Sequence, residues 1–164
     1  MNIFYVDKDP VLAARALPDT HIVKMPTETV QMLVSACIRN HLCHGVLTVA
    51  GSLHKGGYAN HPCTRWAGDN RANFQWLWRH GVALCHEYEK RYGREHAAAA
   101  QLRQLMGCMD WMPSGLFTTP PLAMPDECKT ADAVEAYRNC IRFKIVKKPE
   151  RFVWNKGQAA PEWL

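Results

Sequence analysis

The chain has 164 residues, 48% of them hydrophobic and 21% charged, with a formal charge of +5 and a pI near 8.9. These values exclude a disordered chain and predict one globular domain with a sizeable core. The mild basic excess suits an anionic partner such as nucleic acid or a nucleotide, and equally suits simple solubility.

No run of about 18 apolar residues exists, so no transmembrane helix is expected. The N-terminal stretch carries Asp7, Lys8, Asp9 and Pro10 where a signal peptide needs an apolar core, which predicts a cytoplasmic protein. Seven cysteines at irregular spacings, without a Cys-x-x-Cys pair, read as buried free thiols in a reducing compartment rather than a disulfide framework.

In chain order, residues 1–6 are β-branched and aromatic, predicting a strand or an extended segment packed on the core. Asp9 then caps a short helix that starts at Pro10 and runs to Leu17. A second helix, capped by Asp19 or Thr20, runs to about Asn40, with a kink expected at Pro26. It organises the chain. Most of its surface is apolar, yet His21, Lys24, Glu28, Gln31 and Ser35 recur at steps of three and four, forming one narrow polar stripe. A surface helix shows the opposite, a broad polar face and one apolar stripe. A helix buried on most sides and lining a polar cleft would read this way.

Residues 41–60 contain Gly45, Gly51, Gly56 and Gly57 and read as a loop with one short element at 46–49. Asn60-His61-Pro62-Cys63 leads to Thr64, the expected cap of a long helix from Arg65 to Tyr92. Gly81 in that helix predicts close packing, and Gly93 its C-terminal cap. A helix over 94–106, ended by Gly107, follows. Residues 110–125 are proline-rich and irregular. A last helix spans about 131–146, and the aromatic tail is expected to fold back. The fold class is therefore all-α: one domain, an irregular bundle of four to five helices with a long middle loop.

Three sets of residues are candidates for chemistry. On the polar stripe, Glu28 is a partly buried acid or base, Lys24 orients it or serves as an amine nucleophile, and His21 anchors an anion or shuttles a proton. An i,i+4 surface ion pair between Lys24 and Glu28 is the plain alternative. At the start of the long helix, Asn60, His61 and the free amides there form a phosphate site, or simply a turn. Arg65, Arg71, Arg79, Arg91 and Arg94 interleave with Trp66, Trp76 and Trp78, as backbone contact and base stacking would require, though packing aromatics and solvated arginines explain them too. Tyr137, Arg138 and Asn139 form a further polar patch. His61-x-Cys63 and His41-x-Cys43-His44 lack the paired spacing of a zinc site, so no metal and no cofactor are expected.

Several motifs together resemble a family of small proteins from tailed phages: Met1-Asn2-Ile3-Phe4-Tyr5 with Asp9-Pro10, His21-Ile22-Val23-Lys24-Met25 with Glu28 and Gln31, Asn60-His61-Pro62-Cys63, Glu87-Tyr88 with Arg91-Tyr92-Gly93, Pro121 to Pro125, Ala136 to Asn139, and Pro161-Glu162-Trp163. More distantly the chain is similar to the pyrimidine-dimer DNA glycosylases of the endonuclease V type. Those compact all-α enzymes carry a helical His and, seven residues later, the catalytic Glu, matched here by His21 and Glu28. Bacterial relatives of that family also have an Asn-His-Pro turn, matched by Asn60, His61 and Pro62. The resemblance implies a glycosylase with lyase-like chemistry on a flipped-out damaged or modified base. His21, His61, Arg71 and Arg138 would then hold phosphates, with Gln31, Asn60 and Tyr137 beside them. In those enzymes the nucleophile is the N-terminal amine of a threonine; here Asn2 follows Met1, which makes Lys24 a second candidate amine. The other function class is a protein that captures a nucleotide or nucleotide signal without turning it over. A structural or interaction protein is the third.

Overall fold

The computed structural model describes residues 2–42 and 45–164; Met1, Cys43 and His44, and with them the zinc reading at 41–44, lie outside the described residues. Among those residues there are six α-helices and no strand: α1 (Pro10–Arg15), α2 (Asp19–Arg39), α3 (Pro62–Asp69), α4 (Arg71–Tyr92), α5 (Ala98–Leu105) and α6 (Ala133–Lys147), with short 3-10 turns after α5, before α6 and after it. The all-α expectation holds, with one helix more than the expected four to five.

The extra helix comes from a break that was missed. Asn70 is fully extended (φ −161°, ψ 168°), and its side chain accepts from Asn73 N, so α3 ends and α4 starts anew. Thr64 therefore caps nothing. His61 caps α3, its ring Nδ1 accepting from Cys63 N.

Asp9 caps α1 as expected, accepting from Val11 N and Leu12 N. Asp19 does not cap α2: Pro18 occupies that position without a side-chain bond, and Asp19 lies inside the first turn. The helix continues through Pro26, which is buried. Gly93 ends α4 in the left-handed conformation (φ 69°) as expected. Gly107 does not terminate its segment, because α5 tightens into a 3-10 turn over Met106–Trp111 that runs through it.

Helix α2 is central, packing against α3, α4 and α5. Ile22, Met25, Val30, Met32, Leu33 and Val34 are all buried, as a helix apolar on most sides requires. It crosses α4 closely at Gly81, where a Cβ would stand 2.7 Å from Thr29 Cγ2 and 3.1 Å from Leu102 Cδ2. Residues 3–6 are buried but form no strand: Phe4 has a positive φ (47°), and Val6 N donates back to Phe4 O (2.7 Å), which turns the segment.

A buried ion network fixes the start of α2. The Arg91 side chain is fully buried; its Nη1 donates to Asp19 Oδ1 (3.1 Å) and Leu17 O (2.8 Å), and its Nη2 to Arg15 O (2.9 Å) and Glu87 Oε2 (3.2 Å). Such a pair is tolerated because each charge is also hydrogen-bonded. The tail returns as expected: Trp154 Nε1 donates to Ala16 O, and Asp19 N to Val153 O.

Candidate active site

The polar stripe of α2 divides into two halves with different work. Its C-terminal half is structural. Ser35 Oγ donates to Gly57 O (3.0 Å) and accepts from Gly57 N (2.8 Å), while Gly57 N also reaches Gln31 O (3.2 Å). A Cβ on Gly56, whose φ is +72°, would lie 2.3 Å from Ser35 Oγ. Gln31 and Ser35 thus pin the glycine loop to α2, and Gln31 is not brought to the cleft.

The N-terminal half lines a cleft of about 430 Å³, with Asn2, Phe4, Thr20, His21, Lys24, Met25 and Glu28 on one side and residues from within 143–152, chiefly Lys and Arg, on the other. Glu28 is 5% exposed. Its Oε1 accepts from Lys24 Nζ at 2.8 Å, and its Oε2 is buried with no hydrogen-bond partner among the described residues. Buried polar atoms are normally paired, so an orphaned carboxylate oxygen on a cleft wall marks a place where something else is meant to bind.

His21 sits between two rings, edge-on to Phe4 (4.7 Å) and tilted against Phe152 (5.1 Å). Burial, reinforced by Lys144 and Lys24, lowers its pKa to about 4. A neutral imidazole would meet an anion through a hydrogen bond rather than through charge. Thr20 Oγ1 gives its only proton to Arg151 O (2.5 Å), so His21 Nδ1, 3.3 Å away, donates to Thr20 and leaves Nε2 as a lone-pair acceptor.

His61 stands close enough to Glu28 to feel its charge. Burial lowers its pKa and Glu28 opposes the shift. Because Nδ1 accepts from Cys63 N, the neutral ring carries its proton on Nε2. The amides at the start of α3 are not free for phosphate, however. Cys63 N is taken by His61, Thr64 N and Arg65 N bond His61 O, and Pro62 has no N–H. Asn60 is exposed beside this turn.

The remaining candidates lie elsewhere. Arg71 reaches Asp110 and, through its backbone N, Pro113 O, so it ties down the 106–113 segment. Tyr137 is fully buried, donating to Pro121 O at 2.7 Å. Arg138 donates to Val6 O, stacks over Trp163, and lines a separate cleft with Asp7 and Asp132. Asn139 accepts from Arg142. The three indoles proposed for stacking donate to backbone oxygens, Trp66 to Thr118, Trp76 to Lys8 and Trp78 to Leu102, as packing residues do.

Among the described residues no group of three or more His, Cys, Asp or Glu is arranged to hold a metal. Cys63 faces Tyr137 OH, and burial raises its pKa to about 11, which keeps it a thiol rather than a thiolate ligand. No helix is long and apolar enough to cross a membrane among the described residues. The six described cysteines are buried and form no disulfide with one another.

Sequence reasoning missed the opposite wall: Phe143, Lys144, Lys147, Lys148, Arg151 and Phe152. A signal was there, since Lys144, Lys147, Lys148 and Arg151 cluster at steps of three and four in the sequence, although α6 itself ends at Lys147.

A family model described as pyrimidine dimer DNA glycosylase matches residues 1–100, which takes in α1 to α4, the beginning of α5 and the whole Glu28 side of the cleft. No curated protein and no solved structure matches the chain.

Proposed function

The chain belongs to the pyrimidine dimer DNA glycosylase family, and on that premise we propose that it cleaves the glycosidic bond of a damaged or modified base in DNA, with Glu28 as the catalytic carboxylate. The observation that carries this reading is Glu28 Oε2, buried beside a cationic cleft and without a hydrogen-bond partner among the described residues.

In glycosidic cleavage positive charge develops at the sugar C1′ as the base departs. A carboxylate held in a poorly solvated site stabilises that charge more than water does. Lys24 occupies Oε1, which fixes the carboxylate and leaves Oε2 for the sugar. In the lyase version an amine attacks C1′ as the bond to the base breaks, and the base leaves with one proton that the amine sheds. The C1′–O4′ bond then breaks, O4′ taking the second amine proton, which leaves an open-chain imine; Glu28 takes a proton from its C2′, and β-elimination expels the 3′ phosphate and so cuts the strand.

Lys24 is a poor choice for that amine. Its side chain is 69% exposed and engaged with Glu28, whereas a nucleophilic lysine is desolvated with a free lone pair. We assign it the orienting role. The amine nucleophile of the similar glycosylases is N-terminal, and Asn2 lies on the wall of this cleft. His61, with Nε2–H as donor, and neutral His21, with Nε2 as acceptor, are suited to the polar edge of a base rather than to phosphate.

The test is borohydride trapping on dimer-containing and base-modified DNA. A covalent adduct is expected, retained in Lys24→Arg, which keeps the charge but forms no imine. Glu28→Gln should bind DNA and release no base. Absence of both adduct and base release across several lesions overturns the proposal. The cleft volume also suits a nucleotide; nucleotide recovered unchanged, with Glu28→Gln still holding it, would point to capture without turnover.

A further inference from the structure

The half of the cleft that faces Glu28 is built from residues beyond the matched 1–100. Five cations line the cleft, Lys24, Lys144, Lys147, Lys148 and Arg151, against the single carboxylate of Glu28. Lys24 is committed to that carboxylate. None of the ion pairs of the described residues involves Lys144, Lys147 or Lys148, and Arg151 reaches only Glu150, at 4.0 Å. Like charges gathered in a concavity repel one another and focus the field outward. Burial is the main cause of the lowered pKa of His21, and Lys144 and Lys24 push it the same way.

This wall is held against α2 by bonds that alternate between the two chain segments. Thr20 Oγ1 donates to Arg151 O (2.5 Å), Asp19 N to Val153 O (2.9 Å), and Asn155 N to Asp19 Oδ2 (2.7 Å). The other Asp19 oxygen is gripped by the buried Arg91 (3.1 Å). One carboxylate therefore joins α4, the first turn of α2 and the segment that carries Arg151 and Phe152. Lys144 and Lys147 lie in the last turn of α6, Lys148 is its non-helical C-cap (φ −150°, ψ 66°), and Arg151 ends the 3-10 turn Pro149–Arg151, so the four cations come from one short, bent piece of chain.

We infer that Lys144, Lys147, Lys148 and Arg151 form a phosphodiester-binding wall, latched to the catalytic helix by Asp19 and Thr20, that seats the backbone of the substrate strand opposite Glu28. The inference deepens the glycosylase reading and rests on it for the identity of the polyanion. In this arrangement the helix that carries the chemistry and the segment that carries the backbone contacts are distinct parts of the chain, and the latch sets the distance between them.

The experiment measures binding of an undamaged DNA oligonucleotide to the full chain by fluorescence anisotropy across a range of salt concentrations. Lys144→Gln and Lys148→Gln should each weaken binding and reduce the slope of log K against log salt by about one, and the double variant by about two. Thr20→Val, an exposed change that spares the buried ion pair, should weaken binding several-fold with an unchanged Tm, and Asp19→Asn should do so more strongly. Rate at saturating DNA should move less than affinity in Thr20→Val. Glu28→Gln should not lower the slope. An unchanged slope in the Lys144→Gln/Lys148→Gln double variant overturns the wall, and unchanged affinity in Thr20→Val overturns the latch. Failure of the catalytic reading is separable: Glu28→Gln would then keep its activity while the lysine variants still lose slope.

Discussion

Replacing Glu28 by Met separates a functional carboxylate from a structural ion pair. Met keeps the unbranched side chain, a comparable helix propensity and enough flexibility to fill the site. Two opposing effects decide the sign. The Lys24–Glu28 pair is lost, but Lys24 is 69% exposed, so solvent screens the pair to about 0.3–0.5 kcal/mol. Against this, the variant removes a buried oxygen that lacks a partner among the described residues, and such an atom costs about 1–3 kcal/mol. The net expectation is stabilisation by about 1–2 kcal/mol. For a domain of this size that raises Tm by about 2–8 °C, since each kcal/mol corresponds to roughly 2–4 °C. Differential scanning calorimetry at physiological salt measures it, alongside a base-release assay that should fall to background. Stability given up for a poised charge is the usual signature of an active site. A fall in Tm of several degrees would refute the reasoning, because it would mean that both oxygens hold the fold together. An unchanged base-release rate would refute the catalytic half.

Gly81→Ala should destabilise by about 1–3 kcal/mol through overpacking, partly offset by about 1 kcal/mol of helix propensity, because its Cβ would lie 2.7 Å from Thr29 Cγ2; urea denaturation reads the loss. Arg91→Met should cost about 3–5 kcal/mol, since Asp19 and Glu87 would remain buried without their cation, and it should also free the tail for proteolysis near residue 153. His80 is fully buried, donates from Nδ1 to Pro10 O, and has its pKa lowered to about 4 by burial. The unfolded chain binds a proton below about 6.5 and the folded one does not until about 4. Its contribution to stability is therefore full above about pH 6.5 and is lost as pH falls toward 4, and His80→Asn should flatten that part of the stability–pH curve.

Much of the fold and part of the site can be read without coordinates. The inverted polarity of 19–39 reflects a real property: a helix touched by α3, α4 and α5 has little surface to spare for solvent, so its few polar residues must serve a cleft or a contact. The cap at Asp9 and the left-handed Gly93 are local geometry, which nearby residues determine, whereas Gly81 announced a close approach without naming its distant partners Thr29 and Leu102. Pattern alone did not distinguish Glu28 from Ser35 on the same stripe, because periodicity names a face but not what lies against it. Nor did it find the break at Asn70, where an extended residue interrupts an apolar rhythm that runs on through Trp66, Phe74 and Leu77.

What only the tertiary structure decided is which distant residues meet. Arg71, Tyr137 and Arg138 carry suitable chemistry but are spent on Asp110, Pro121 and Val6. Lys144 and Arg151, which sequence reasoning did not single out, face α2 because the tail returns across its start. Local sequence determined the elements and placed His21, Lys24 and Glu28 on one face. Long-range contacts made His21 neutral, left one oxygen of Glu28 without a partner among the described residues and put cations opposite it. Burial and field depend on everything within reach of a group, and most of what reaches Glu28 lies far from it in the chain.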